Sequence, residues 1–216
     1  DINSYRILVL LSGTMTVGTG GDFPSLTGPG GFFAMINGNF VSGNIVAQII
    51  SDLTEPGTNA LDQWVEQGAG NYSLTIQPDA AVLRTISGSY TGGLIRLNGA
   101  DRVTIDGRYN GSGNYLTFEN TNAVANTAAI QLISLGAAQG CSNVTIQNCN
   151  IKAGSNTLSN IFGIFCGSSG TLGTSNAGGA DFANISILGN HISKSRNGIF
   201  ARGTTASQMT NFIVAD

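Results

Sequence analysis

The densest set of chemically able side chains lies between residues 96 and 108, where Arg96, Asp101, Arg102, Asp106 and Arg108 stand close together. Acid, base and cation on neighbouring strands are the equipment of polysaccharide cleavage, in which one carboxyl protonates the leaving oxygen and another assists attack. If Ile95, Leu97, Val103 and Ile105 point inward, alternation sends Arg96, Arg102 and Thr104 outward and leaves Asp101 and Asp106 at turns. Asp101, Asp106, Arg96 and Arg102 are therefore the candidate catalytic set. Ordinary pairing of Arg with Asp on an exposed sheet explains the same residues. It is favoured, because one carboxylate pair is in reach and the equivalent later positions are the neutral Gln131, Gln147 and Ser186.

A second candidate set is aromatic. Tyr109 and Tyr115 bracket Asn110-Gly111-Ser112-Gly113-Asn114, so Tyr109, Tyr115, Asn110 and Asn114 could bind sugar, rings stacking on the aromatic faces and amides reaching the hydroxyls. Tyr90, Phe165 and Phe200, also expected outside, would extend the platform; plain stacking of aromatics from strand to strand is the competing account. No metal or cofactor is expected. Cys141, Cys149, Cys166 and His191 lack ligand spacing, and Asp106, Asn110 and Asn114 lack the glycine-aspartate nonapeptide of calcium-binding coils. Cys166 falls on the inward phase of Gly163-Ile164-Phe165-Cys166, so the thiols read as buried and inert. Cys141 with Cys149 is the one pairing that spacing suggests. His191 reads as solvated in the turn Gly189-Asn190-His191.

Whatever carries these residues must be built from a repeated phrase. Arg102-Val103-Thr104-Ile105-Asp106-Gly107 returns as Asn143-Val144-Thr145-Ile146-Gln147-Asn148, as Asn184-Ile185-Ser186-Ile187-Leu188-Gly189 and as Asn211-Phe212-Ile213-Val214-Ala215-Asp216. Each is a short alternating strand with a turn residue behind it. The first apolar residues, Val103, Val144, Ile185 and Phe212, recur at steps of 41, 41 and 27; Ile95, Ile130, Ile164 and Ile199 form a second series at 35, 34 and 35. Repetition on this scale predicts a stacked solenoid whose two series are neighbouring faces, with loops such as 123–128 and 167–179 absorbing unequal gaps. Asn side chains at corners should pass hydrogen bonds between turns, Asn190 being the candidate.

Upstream, strands are expected at 44–50, 72–78, 83–88, 94–97, 115–118 and 130–133, with an insertion at 52–70 that holds Trp64. Thr14 to Leu26 starts as a strand and breaks at Gly20-Gly21; Phe32-Phe33-Ala34-Met35-Ile36-Asn37 allows one or two helical turns before Gly38 and could plug an open end. The Ile7–Leu11 run is far below membrane-spanning length. The expected organisation is one β-helix domain over 1–216, with a cap region at 13–43 and rungs over 44–216.

Composition agrees. There are 31 Gly against 4 Pro, with 10% charged and 41% hydrophobic residues, too apolar and too uncharged for disorder. A net charge of −3 with no basic cluster argues against nucleic acid as a partner.

These residues resemble the right-handed parallel β-helix proteins of the pectin lyase-like superfamily. The opening Val17-Gly18-Thr19-Gly20-Gly21-Asp22-Phe23-Pro24-Ser25-Leu26 resembles the start of the pectin methylesterase branch, and Asn184 to Asn190 followed by Gly198-Ile199 is similar to the superfamily's generic repeat. The Gln-Asp-Thr segment of the esterase site is not found. The run from Gly13 to Gly107 resembles large surface or secreted proteins of outer-membrane-bearing bacteria, often exported by the type IX route. The resemblance implies an all-β, right-handed parallel β-helix with a short N-terminal capping helix, secreted or held at the cell surface. No sorting domain is visible and the chain stops within a strand phrase, so a longer parent protein is expected. The functional expectation is a non-enzymatic structural or adhesin module that meets carbohydrate, other surface proteins or copies of itself. The alternatives are a polysaccharide-active enzyme and a glycan-binding module.

Overall fold

The computed structural model describes residues 8–216. The chain enters through β1 (Leu10–Val17), helix α1 (Phe32–Asn37), β2 (Phe40–Ile49) and three two-residue strands, β3 (Leu53–Thr54), β4 (Leu61–Asp62) and β5 (Val65–Glu66). From there it deals its strands to three sheets in strict rotation. β6 (Leu74–Pro78), β7 (Arg84–Gly88) and β8 (Gly93–Asn98) go to the first, second and third sheet, followed by β9 (Val103–Asp106), β10 (Leu116–Asn120) and β11 (Thr127–Ser134). Two more rounds follow: β12 (Ser142–Gln147), β13 (Cys149–Ser155) and β14 (Ile161–Ser168), then β15 (Ala183–Leu188), β16 (His191–Ser195) and β17 (Asn197–Ala201). β18 (Thr210–Ala215) returns to the first sheet, which also holds β1, β2 and β5, while β3 opens the second and β4 the third. All pairings between these strands are parallel, and with 51% strand and 3% helix the chain is all-β. The arrangement fits a parallel β-helix.

Register follows the hydrophobic phase, because a slip of one residue would turn every apolar side chain to water. Ile76, Ile105, Ile146 and Ile187 pair in succession in the first sheet, and Val144, Ile185 and Phe212 form the file beside them, with Val103 below Val144. Ile95, Ile130, Ile164 and Ile199 make a file in the third sheet, where Leu61, Leu97, Leu132 and Cys166 make another. The second sheet supplies Leu53, Ile86, Phe118, Ile151 and Ile192. Apart from the half-buried Ile192, Ile199 and Phe212, these side chains are buried in one continuous core, each worth about 1.5–3 kcal/mol of transfer free energy. Strands β13 and β16 are absent from the sequence reading. Their alternation is diluted by Lys152, Gly154, Ser193 and Lys194.

Corners are closed by left-handed backbone, which Asn tolerates better than other residues bearing a Cβ. Asn143, Asn184 and Asn211 have φ of 55, 54 and 50°, and Asn184 Nδ2 donates to Asn143 Oδ1 at 3.0 Å while Asn211 Nδ2 donates to Asn184 Oδ1 at 2.8 Å. A shorter ladder joins Asn160 Nδ2 to Asn126 Oδ1 at 2.9 Å. The expected ladder therefore exists, and Asn190 also bonds to the turn before it, though to backbone and not to another Asn. Asn190 accepts from the Cys149 backbone N–H at 2.9 Å and donates to the Ile146 carbonyl at 2.7 Å.

At the N-terminal end α1 packs against β4 and buries Phe32, Phe33 and Ile36. Beside it the buried Glu55 clasps the preceding loop. Its Oε1 accepts from Leu26 N–H at 2.7 Å, and its Oε2 from Thr27 N–H at 2.7 Å and Thr27 Oγ1 at 2.5 Å. A buried carboxylate is tolerable only with its lone pairs occupied in this way. β1 begins at Leu10; Ile7 lies outside the described residues.

Candidate functional site

The proposed catalytic set is scattered over different edges of the molecule. Arg96 stands on the outer face of β8, its guanidinium 4.7 Å from the centre of the Tyr90 ring and bonded to the Thr58 carbonyl at 3.0 Å. Arg102 takes a left-handed φ of 57° before β9 and turns back to Glu66, pairing at 2.8 Å beside Trp64. Asp101 accepts from the Ser142 backbone N–H at 2.7 Å and from Ser142 Oγ at 2.9 Å, tying one corner to the next. Asp106 lies at the far end of β9, roughly 10 Å along the strand from Val103 at the rise of an extended chain. There it holds the Arg108 guanidinium at 2.8 Å and Gln147 Nε2 at 2.8 Å. Burial raises the Asp106 pKa, but the hydrogen bonds from Arg108 and Gln147 outweigh that and hold it below the ordinary 3.8. Such a group is an anchored acceptor at neutral pH, the opposite of a proton donor.

The second candidate set is gathered in one hairpin. Tyr109 and Ser112 exchange backbone hydrogen bonds at 3.0 and 3.2 Å around Asn110 and Gly111, whose φ values of 49 and 78° are those of a tight Asn-Gly turn. Asn110 is exposed, and Tyr109 and Tyr115 are half-buried. Asn114 is committed to structure: its Nδ2 donates to the Gly189 carbonyl at 3.4 Å and its carbonyl accepts from Asn150 Nδ2 at 3.2 Å.

The wider aromatic platform is corrected by the fold. Gln131, Phe165 and Phe200 do continue the outward file above Arg96, and Phe165 stacks on Phe200 at 4.9 Å. Phe165 is fully buried, however, because the loop over 169–182 folds across β14 and sets Leu172 against Phe162 and Phe165. Asn176 pins that loop, accepting from Ser168 N–H, Ser168 Oγ and Gly178 N–H, each at 3.0 Å.

The cysteines are free and buried, so the suggested Cys141–Cys149 pairing is absent. Burial pushes the Cys141 thiol up to about 12 and raises Cys149 and Cys166 further. His191 is exposed, as expected, though it opens β16 rather than lying in a turn.

What the sequence reading missed is a groove of about 450 Å³ at the corner between the third and first sheets. Asp62 and Gln63 from the insertion, Asn98 and Asp101 flanking the turn after β8, and Leu135 and Gln139 from the loop after β11 line it. Asn98 Nδ2 donates to Asp62 Oδ1 at 2.6 Å and Asp101 N–H to Gln63 Oε1 at 2.7 Å. The 135–140 loop that forms one wall is held by Asp181, which accepts from Ala138 N–H and from Ser207 Oγ at 2.6 Å. Only Asp101 had been singled out from sequence. The groove joins residues up to 78 positions apart in the chain, from Asp62 to Gly140, which no local pattern reports. Among the described residues no group of three or more His, Cys, Asp or Glu side chains is placed to hold a metal ion.

No family model, curated protein or solved structure matches the chain.

Proposed function

We propose that the chain is a right-handed parallel β-helix that works outside the cell as a non-enzymatic structural or adhesin module, with α1 and the Glu55 clasp closing its N-terminal end. The observation that carries this reading is the rotation of strands through three parallel sheets around one core, with outward polar groups used mainly to tie one rung to the next. The carboxylate of Asp106 is spent on Arg108 and Gln147, and one oxygen of Asp101 on Ser142. The two flank β9 at its opposite ends rather than facing each other as a glycosidic acid and base would. Because the three thiols are buried and present no thiolate, they are compatible with an oxidising exterior. Low charge and abundant Gly, Asn, Ser and Thr support the same setting.

The test is a panel of acidic and neutral polysaccharides incubated with the native chain and with Asp106→Ala. No turnover by either is expected. Turnover by the native chain that disappears in the variant would establish the enzymatic alternative. Labelling of intact cells with an antibody to the chain is expected to stain the surface, and staining only after lysis would refute the extracellular placement.

A further inference from the structure

We infer that the groove between Asp62 and Leu135 is a saccharide-binding site, selective for neutral or amine-bearing sugars over uronic acids. Three features of its lining support this. First, after the internal bonds to Asn98 and Ser142, one oxygen of Asp62 and one of Asp101 take no hydrogen bond among the described residues; nor do Gln63 Nε2, Asn98 Oδ1 or the Gln139 side-chain amide. The free set therefore mixes acceptors with donors. Sugar hydroxyls, which both donate and accept, can satisfy it, whereas a simple organic cation would leave the amide donors unmatched. Second, Leu135 is 47% exposed on the groove wall beside Ala138, an apolar surface of the kind that receives the C–H face of a pyranose. Third, Asp62 and Asp101 form no ion pair among the described residues, so the groove is anionic without a counter-cation. A uronate would meet like charge there, and a neutral or aminated ring would not.

The site is also held in shape before any ligand arrives. Gly99 crosses its floor with a φ of 71°, Asp181 fixes the 135–140 wall, and Ser142 fixes Asp101. Little ordering is left to oppose binding. The inference does not rest on the structural-module reading, which concerns the coil and not this corner.

The test is calorimetric titration of the native chain with cello-, xylo- and manno-oligosaccharides, chitosan oligosaccharides, oligogalacturonides and 1,6-diaminohexane. At least one neutral or amino oligosaccharide is expected to bind at millimolar affinity or tighter, with oligogalacturonides and diaminohexane at least about tenfold weaker. Leu135→Ser, which removes the apolar wall, and Gln139→Trp, which fills the space, should each weaken that binding about tenfold or more, the scale of one favourable interaction removed. Both residues are exposed and their side chains make no hydrogen bond among the described residues, so melting temperatures should not move. Binding of none of the saccharides, equal binding of diaminohexane, or saccharide binding unchanged in both variants overturns the site. Those results would leave the polysaccharide-turnover test of the module reading unaffected.

Discussion

A thiol reacts as its thiolate, and none of the three cysteines can reach that state while the core is closed. Burial holds Cys141 at about 12 and the other two higher, so at pH 8 the folded chain should leave Ellman's reagent untouched and release three equivalents once unfolded in urea. Prompt reaction of even one equivalent without denaturant would show that a core file is open. Asp106 makes the complementary prediction in acid. Its folded pKa lies below the unfolded value of 3.8, so its contribution is fully present above 3.8 and is lost as pH falls through the folded value. Glu66, whose bonds from Asn71, Tyr72, Trp64 and Arg102 overcome its burial, titrates in the same sense. The urea midpoint should be flat from pH 7 to about 5 and drop below about 4, and Asp106→Asn should make the drop shallower. An equal drop in the variant would mean that Arg108 and Gln147 do not favour the charged form.

Where strands turn, the Asn ladder combines two effects that substitution can separate. Asn184→Ala removes one donated and one accepted side-chain bond and puts a Cβ without polar compensation at a φ of 54°. Urea denaturation should register a loss of about 2–3 kcal/mol, adding exposed hydrogen bonds to the left-handed penalty. Asn184→Gly keeps the backbone freedom and should lose about 1 kcal/mol less; equal losses would assign everything to the ladder bonds. Glu55→Gln tests the clasp: an amide nitrogen facing Leu26 N–H or Thr27 N–H cannot accept, at about 1–3 kcal/mol for each buried donor left unpaired. At this scale the sequence was most legible where one periodicity decided the outcome. The Val103 and Ile95 series and the helix at 32–37 were readable because burial enforces phase. Pairing partners were not. Arg102 turns to Glu66 only because its backbone goes left-handed at the corner, and Phe165 is hidden by a loop that nothing in Ile161–Gly167 announces.

Stacked strands pair only with the rung above and the rung below, so stability should be graded along the molecule rather than uniform. Amide exchange is expected to be slowest in β11 and β14, where nearly every residue is buried, and fastest in β17 and β18, which are half-buried or exposed throughout. Ile146→Ala, in the middle of its file, should cost about 2–5 kcal/mol by leaving a cavity that neighbours on both sides cannot collapse to fill. A single exchange rate across all strands would mean that the chain opens as one unit. The connections between sheets show a further asymmetry. From the first sheet to the second, one residue, Asn148, suffices between β12 and β13 and two between β15 and β16, although 107–115 joins β9 to β10; the links from the third sheet to the first run over 99–102, 135–141, 169–182 and 202–209 and range from four to fourteen residues. Insertions and deletions along that seam change a loop without moving any core residue out of phase. Natural variation should therefore accumulate there, leaving the groove's outer wall free to diversify while the three sheets beneath it keep their register.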